Sequence, residues 1–202
     1  MKALSTIFLS FCLSTSIAQV PQDTCITNGV CPAFVAPLSH YCDLFIGDTI
    51  GANRVIRMKT PTINTIIRAL KLKTTSAELG WPAADAPGCF ALYSTSSWSY
   101  PERQPLSILV YHKETGNLLV HSPLVQYDPT QKTIVFIDYP RDERLGVFDM
   151  ISLKNTYFDA LETACKSWWW CIKYVVVTED DMMLEYSDIN TVTRRKRYSL
   201  QH

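Results

Sequence analysis

The side chains with the most chemical character are few. Of four histidines, His40, His112, His121 and His202, only His112 and His121 are spaced to act together. They flank Glu114-Thr115-Gly116-Asn117, a polar break between two apolar runs. With Thr115-Gly116 at the centre of a hairpin turn, His112 faces Leu119 and His121 faces Val110. Both imidazoles then share one sheet face as diagonal neighbours, about 7–8 Å apart. A metal site needs at least a third ligand. Asp138 on a later strand could supply it, but nothing in the spacing brings it there, so neither metal nor cofactor is expected.

Trp168-Trp169-Trp170, fenced by Cys165 and Cys171, is the strongest local oddity. In extended chain the Trp169 ring opposes the other two, so the three cannot all enter one core. At least one ring is left for a surface, an interface or the mouth of a cavity. It serves there as an aromatic wall for a ligand or partner, or it merely covers the end of a core. Trp81, Trp98 and Tyr100 lie in Pro/Ser-rich loops that could join such a mouth. Catalytic signatures are missing: there is no Gly-x-Ser-x-Gly elbow and no His-Glu-x-x-His pair. Asp138, Asp149 and Glu185 are carboxylates on expected strands, but no spacing makes any two of them a working pair.

Residues 1–18 read as a secretory signal peptide. Lys2 precedes an apolar stretch from Ala3 to Leu13, and Ser16-Ile17-Ala18 places small residues around a cleavage point. Cleavage before Gln19 removes Cys12 and leaves Cys25, Cys31, Cys42, Cys89, Cys165 and Cys171. An even count in an exported chain points to a disulfide framework, with about fifteen connectivities open. No Cys-x-x-Cys couple suggests zinc, no Asn-x-Ser/Thr sequon is present, and no later run is long and apolar enough for a transmembrane segment. Nineteen basic and nineteen acidic residues balance, which excludes a dedicated nucleic-acid binder. A content of 47% apolar residues allows one ordinary core and excludes a mainly disordered chain.

The elements that must position these residues are mostly strands. Residues 19–51 read as a cysteine-bearing N-terminal arm, 52–190 as one β-barrel-like domain, and 191–202 as a basic C-terminal tail. Arg194-Arg195-Lys196-Arg197 in that tail is a processing site for a basic-specific protease, a patch for anionic surfaces, or simply solvated chain. Val55 to Met58 is a short strand. Thr60-Pro61 resembles a helix start, and Ile63, Ile66, Ile67 and Leu70 fit one helical face, although the isoleucines equally suit a strand. Cys89 to Ser94, Leu106 to His112 and Leu118 to His121 read as strands, the last two as the clearest hairpin. Lys132 to Asp138, Leu145 to Ile151, Ile172 to Val177 and Met182 to Tyr186 continue the series. A second helix is expected from Thr156 to Cys165, with Tyr157, Phe158, Leu161 and Ala164 on its apolar face. The fold class is therefore mainly β: an antiparallel meander of eight strands with one or two short helices. Closure into a barrel disposes of its edges, with a sandwich as the alternative.

The order of these elements resembles that of lipocalins and related calycins. Gly88-Cys89-Phe90-Ala91-Leu92-Tyr93 is similar to their cysteine-led second strand. Lys173 to Val177 with Met183 to Ser187 is similar to their late hairpin. The likeness spans Asp43 to Ser187. It departs at Thr49, which stands where the family's Gly-x-Trp would place Trp, and in its helix before the last hairpin. The resemblance implies an internal cavity for a small hydrophobic molecule, with Val110, Tyr111, His112, His121 and Trp168 to Trp170 as candidate ligand-binding residues. The competing expectation is a secreted module that meets an extracellular protein partner through the tryptophans.

Overall fold

Fourteen strands are present among residues 33–95, 106–138 and 144–200, the parts of the chain that the computed structural model describes. The signal segment, Cys25, Cys31, Trp98, Tyr100 and His202 lie outside them.

β1 (Phe34–Leu38), β2 (Cys42–Ile50), β3 (Asn53–Lys59) and β4 (Asn64–Lys71) form one antiparallel sheet in chain order. The segment expected to be helical from Thr60 is thus a hairpin. Thr60 Oγ1 accepts the N–H groups of Thr62 and Ile63, and the Thr60 N–H donates to the Ile63 carbonyl at 2.7 Å. The apparent helix cap closes a turn instead, and the β-branched run Ile63, Thr65, Ile66 and Ile67 favours the pleated partner that β3 supplies. The expected arm contributes β1 and β2 to this sheet. One helical turn, α1 (Ser76–Leu79), leads out of it.

A seven-stranded sheet follows, again in chain order: β5 (Trp81–Asp85), β6 (Cys89–Thr95), β7 (Leu106–His112), β8 (Leu118–Asp128), β9 (Thr133–Asp138), β10 (Arg144–Asp149) and β11 (Lys154–Phe158). β8 pairs with β7 over residues 118–123 and with β9 over residues 124–128, so one strand is handed from one partner to the next near Pro123. The second expected helix is replaced at its start by β11, where Thr156 sits opposite Val147 and Tyr157 opposite Gly146. The third sheet, β12 (Ile172–Val177), β13 (Asp181–Ser187) and β14 (Thr193–Ser199), contains the basic run. Arg194 to Arg197 therefore lie within a paired strand and not in a tail outside the folded body.

The antiparallel, mainly β expectation holds, but there are three sheets instead of one meander, and none closes into a barrel. Alternation explains how the layers stack. Ile108, Val110, Ile134 and Phe136 point to one face of the long sheet, where they pack with Cys89, Ala91, Val120, Phe148 and Met150. The opposite face at the β6–β7 end, with Phe90, Leu92, Leu109 and Tyr111, packs on Leu44, Ile56 and Met58 of the four-stranded sheet. The opposite face at the β9–β10 end, with Val135, Ile137, Leu145 and Val147, packs on Val175, Val177, Met182 and Leu184 of the three-stranded sheet. Strands that are apolar on both faces are thus covered on one face by a neighbouring sheet. The first cluster is built from the long sheet and its own connections. The Cys89 thiol donates to the Met150 carbonyl at 3.5 Å, across from β6 to the end of β10. The sheet curls far enough to pack on itself.

Candidate functional site

The Cys165–Cys171 disulfide is present and ties together Cα atoms 5.8 Å apart. Inside it the tryptophans are not extended: Trp168–Cys171 is a single 3-10 turn. The Trp170 N–H donates to the Ser167 carbonyl at 2.9 Å, and the Ile172 N–H to that of Trp169. This tight turn, and not alternation along a strand, decides where the rings go. Trp168 is buried and packs with Leu161, Val175, Met182 and Leu184 between the long and three-stranded sheets. Trp169 packs partly against the same cluster, and Trp170 is half-buried. The Trp169 and Trp170 rings meet edge to face at 5.6 Å and 76°. One ring thus anchors the loop, and a paired aromatic unit is held at the boundary of the fold.

The other candidate residues do not gather around this loop or one another. Val110 is fully buried in the self-packed cluster. Tyr111 faces the other way, stacked on Phe90 with centroids 5.6 Å apart and hydrogen-bonded to Arg68. Burial raises its phenol above the ordinary value, against the opposing pull of Arg68.

The two histidines are separated by register. His121 pairs with Leu109, one residue from the expected Val110, and a bulge follows between Val110 and Tyr111. His121 consequently lies on the Leu109 face, whereas His112 pairs with Cys89 on the other. A one-residue slip moves a side chain through the sheet, and the presumed pair is gone. His112 instead organises its turn: Nδ1 accepts the Glu114 N–H at 3.1 Å. Desolvation by the surrounding residues, then nearby Arg68, hold the solvent-exposed His121 imidazole below its ordinary value. Among the described residues no three His, Cys, Asp or Glu side chains converge as metal ligands.

Cys42 and Cys89, expected in the disulfide framework, are buried free thiols. Burial pushes Cys42 up to about 11 and Cys89 up to about 12, outweighing the attraction of nearby Lys113. Neither is a thiolate nucleophile near neutrality.

Two partly buried polar centres have no signature in the sequence. Lys113 Nζ reaches Asp85 at 2.5 Å and both the carbonyl and hydroxyl of Ser39 at 3.0 Å, while Asp85 also accepts the Ser39 N–H at 2.7 Å. This pins the β1–β2 turn to the long sheet. Arg68 of β4 donates to the Glu78 carbonyl at 3.0 Å and lies 3.4 Å from Ser94 Oγ, joining β4, α1 and β6. Each ties different sheets together, which no local pattern of residues reveals.

A surface groove of about 250 Å³ opens where the ends of β9 to β11 meet the β12–β13 turn. Thr133, Asp149, Lys154, Thr156, Thr178 and Glu179 share its walls with Val147, Ile151 and Leu200, so the lining is mixed. Among the described residues no helix is long and apolar enough to cross a membrane.

No protein-family model matches this chain, and no curated protein matches it in sequence.

Proposed function

We propose that this protein is a secreted recognition module that contacts an extracellular protein partner through Trp169 and Trp170 of the Cys165–Cys171 loop. The observation that carries the reading is the division of labour in the tryptophan run. Trp168 fixes the loop in the core, Trp169 packs partly against the same cluster, and half-buried Trp170 meets Trp169 edge to face at its margin. Rigid aromatic area that is ordered before contact adds little conformational cost on binding, which is why tryptophan dominates protein interfaces. The loop is short and disulfide-closed, so the pair is held in place before any partner arrives.

The alternative is carriage of a small hydrophobic molecule inside the sheet. The concave face speaks for the surface mode, because Ile108, Val110, Ile134 and Phe148 on it are all fully buried by one another and their neighbours. An apolar guest would have to displace them.

Paired measurements separate the modes. A fluorescent fatty acid titrated into native protein should show no saturable uptake, while Trp170→Ala should weaken adhesion to the surface of the producing cells at least tenfold and leave hydrogen exchange in β9 and β13 slow. Stoichiometric uptake together with unchanged adhesion would reverse the assignment.

A further inference from the structure

The basic run lies on the outer strand of the three-stranded sheet. Among the described residues nothing pairs with the far side of β14, so its outward backbone N–H and C=O groups form an open edge. Alternation sends the cations to both faces: Arg195 and Arg197 opposite Glu185 and Met183, Arg194 and Lys196 opposite Tyr186 and Leu184. Three of them hold carboxylates on the inner side, as Arg194–Asp188, Arg195–Glu185 and Arg197–Asp181 pairs. These arginine side chains are 57%, 71% and 75% exposed while their carboxylates are 13%, 26% and 22% exposed, so each guanidinium keeps a solvent-facing side with N–H groups open to a further acceptor. Lys196 lies over the Tyr198 ring at 4.9 Å.

We propose that the open edge of β14 docks an extended acidic segment of a partner protein, which adds to the sheet as a fourth strand. Edge strands bind peptides through main-chain hydrogen bonds, with side chains at alternate positions setting the preference. An incoming strand with carboxylates would complete an acid–base–acid ladder: Glu185, Arg195 and the new residue on one face, with Arg194 and Lys196 offered on the other. A second copy of this chain fits poorly, because antiparallel pairing of two β14 edges sets cation against cation. A sulfated polysaccharide would use charge alone. It lacks the strand-spaced donors and acceptors that match the free backbone groups, and cations split between two faces present it no continuous basic surface.

The test uses the full chain and a fluorescein-labelled peptide alternating Glu and Thr. Binding should appear at low ionic strength, and hydrogen exchange at residues 193–199 should slow when peptide is added. N-methylation of alternate peptide amides, which keeps charge but removes strand pairing, should weaken binding at least tenfold. Arg195→Glu with Arg197→Glu should do the same. Glu185→Gln, which frees Arg195 from its internal partner, should tighten binding several-fold. Equal affinity of the N-methylated peptide, or equally strong competition by a heparin fragment, would identify a general polyanion surface and overturn the proposal. Absence of binding, or of added protection in β14, would overturn it as well. None of these readouts depends on the tryptophan loop, so this proposal and the preceding one fail separately.

Discussion

The ring of Phe136 lies over Gly146, its direct partner across the β9–β10 ladder. A Cβ at Gly146 would overlap three carbons of that ring. Tyr157 flanks the same glycine from β11 and meets Phe136 edge to face at 6.2 Å. Glycine weakens a strand on its own, but here the missing side chain is the space an aromatic from the next strand fills. This row helps make the concave face solid.

Gly146→Ala should therefore destabilise the fold by about 1–3 kcal/mol through overpacking. Phe136→Leu in the same chain should recover part of that loss. Denaturant melts of the two single variants and the double variant measure the coupling, and additive losses would contradict the described contact.

Removing one partner of a buried ion pair leaves the other unsatisfied. Lys113→Met should cost about 3 kcal/mol, at the low end for such pairs because the Asp85 side chain remains 30% exposed. Asp85→Asn with Lys113→Met should cost less than Lys113→Met alone. Chemical denaturation checks both.

His121 titrates lower in the folded protein than its ordinary 6.5, so the unfolded chain takes up a proton first on acidification. Its contribution is intact above about pH 6.5 and is lost as pH falls through the folded value. The denaturation midpoint should drop across this window, and His121→Gln should flatten that part of the profile. An unchanged slope in the variant would assign the effect to other groups.

Cys42 and Cys89 should resist iodoacetamide at pH 8 in the native state and react once the chain is unfolded, as peptide mass spectrometry will show. Their pH linkage runs opposite to that of His121. Both thiols are raised from 9.0, so the unfolded chain ionises first, and their contribution declines as pH climbs from 9.0 towards about 11 and 12.

Local patterns in the sequence carried the strands well, because period-two alternation is written in adjacent residues: Leu106 to His112 and Lys132 to Asp138 read as strands and are β7 and β9. Register was less legible. A bulge at Val110/Tyr111 changes no residue type, yet it moves His121 away from His112. The two expected helices failed for a related reason. Thr60-Pro61 and Thr156 carry hydrogen-bonding groups that serve a turn or strand as well as a cap, and the partner strands β3 and β10 decided the outcome. The number of sheets depends on where β8 changes partners, a tertiary fact that hydrophobic spacing does not encode.

The surface role of the tryptophan loop is tested most directly by a photoreactive phenylalanine analogue at position 170, with a control at exposed Leu72. The labelled protein is irradiated on the surface of the producing cells. One discrete protein adduct from position 170, missing from the Leu72 control and abolished by Trp169→Ala, is the predicted result. Adducts of equal yield from both positions, or a position-170 product consisting only of lipid, would contradict the account.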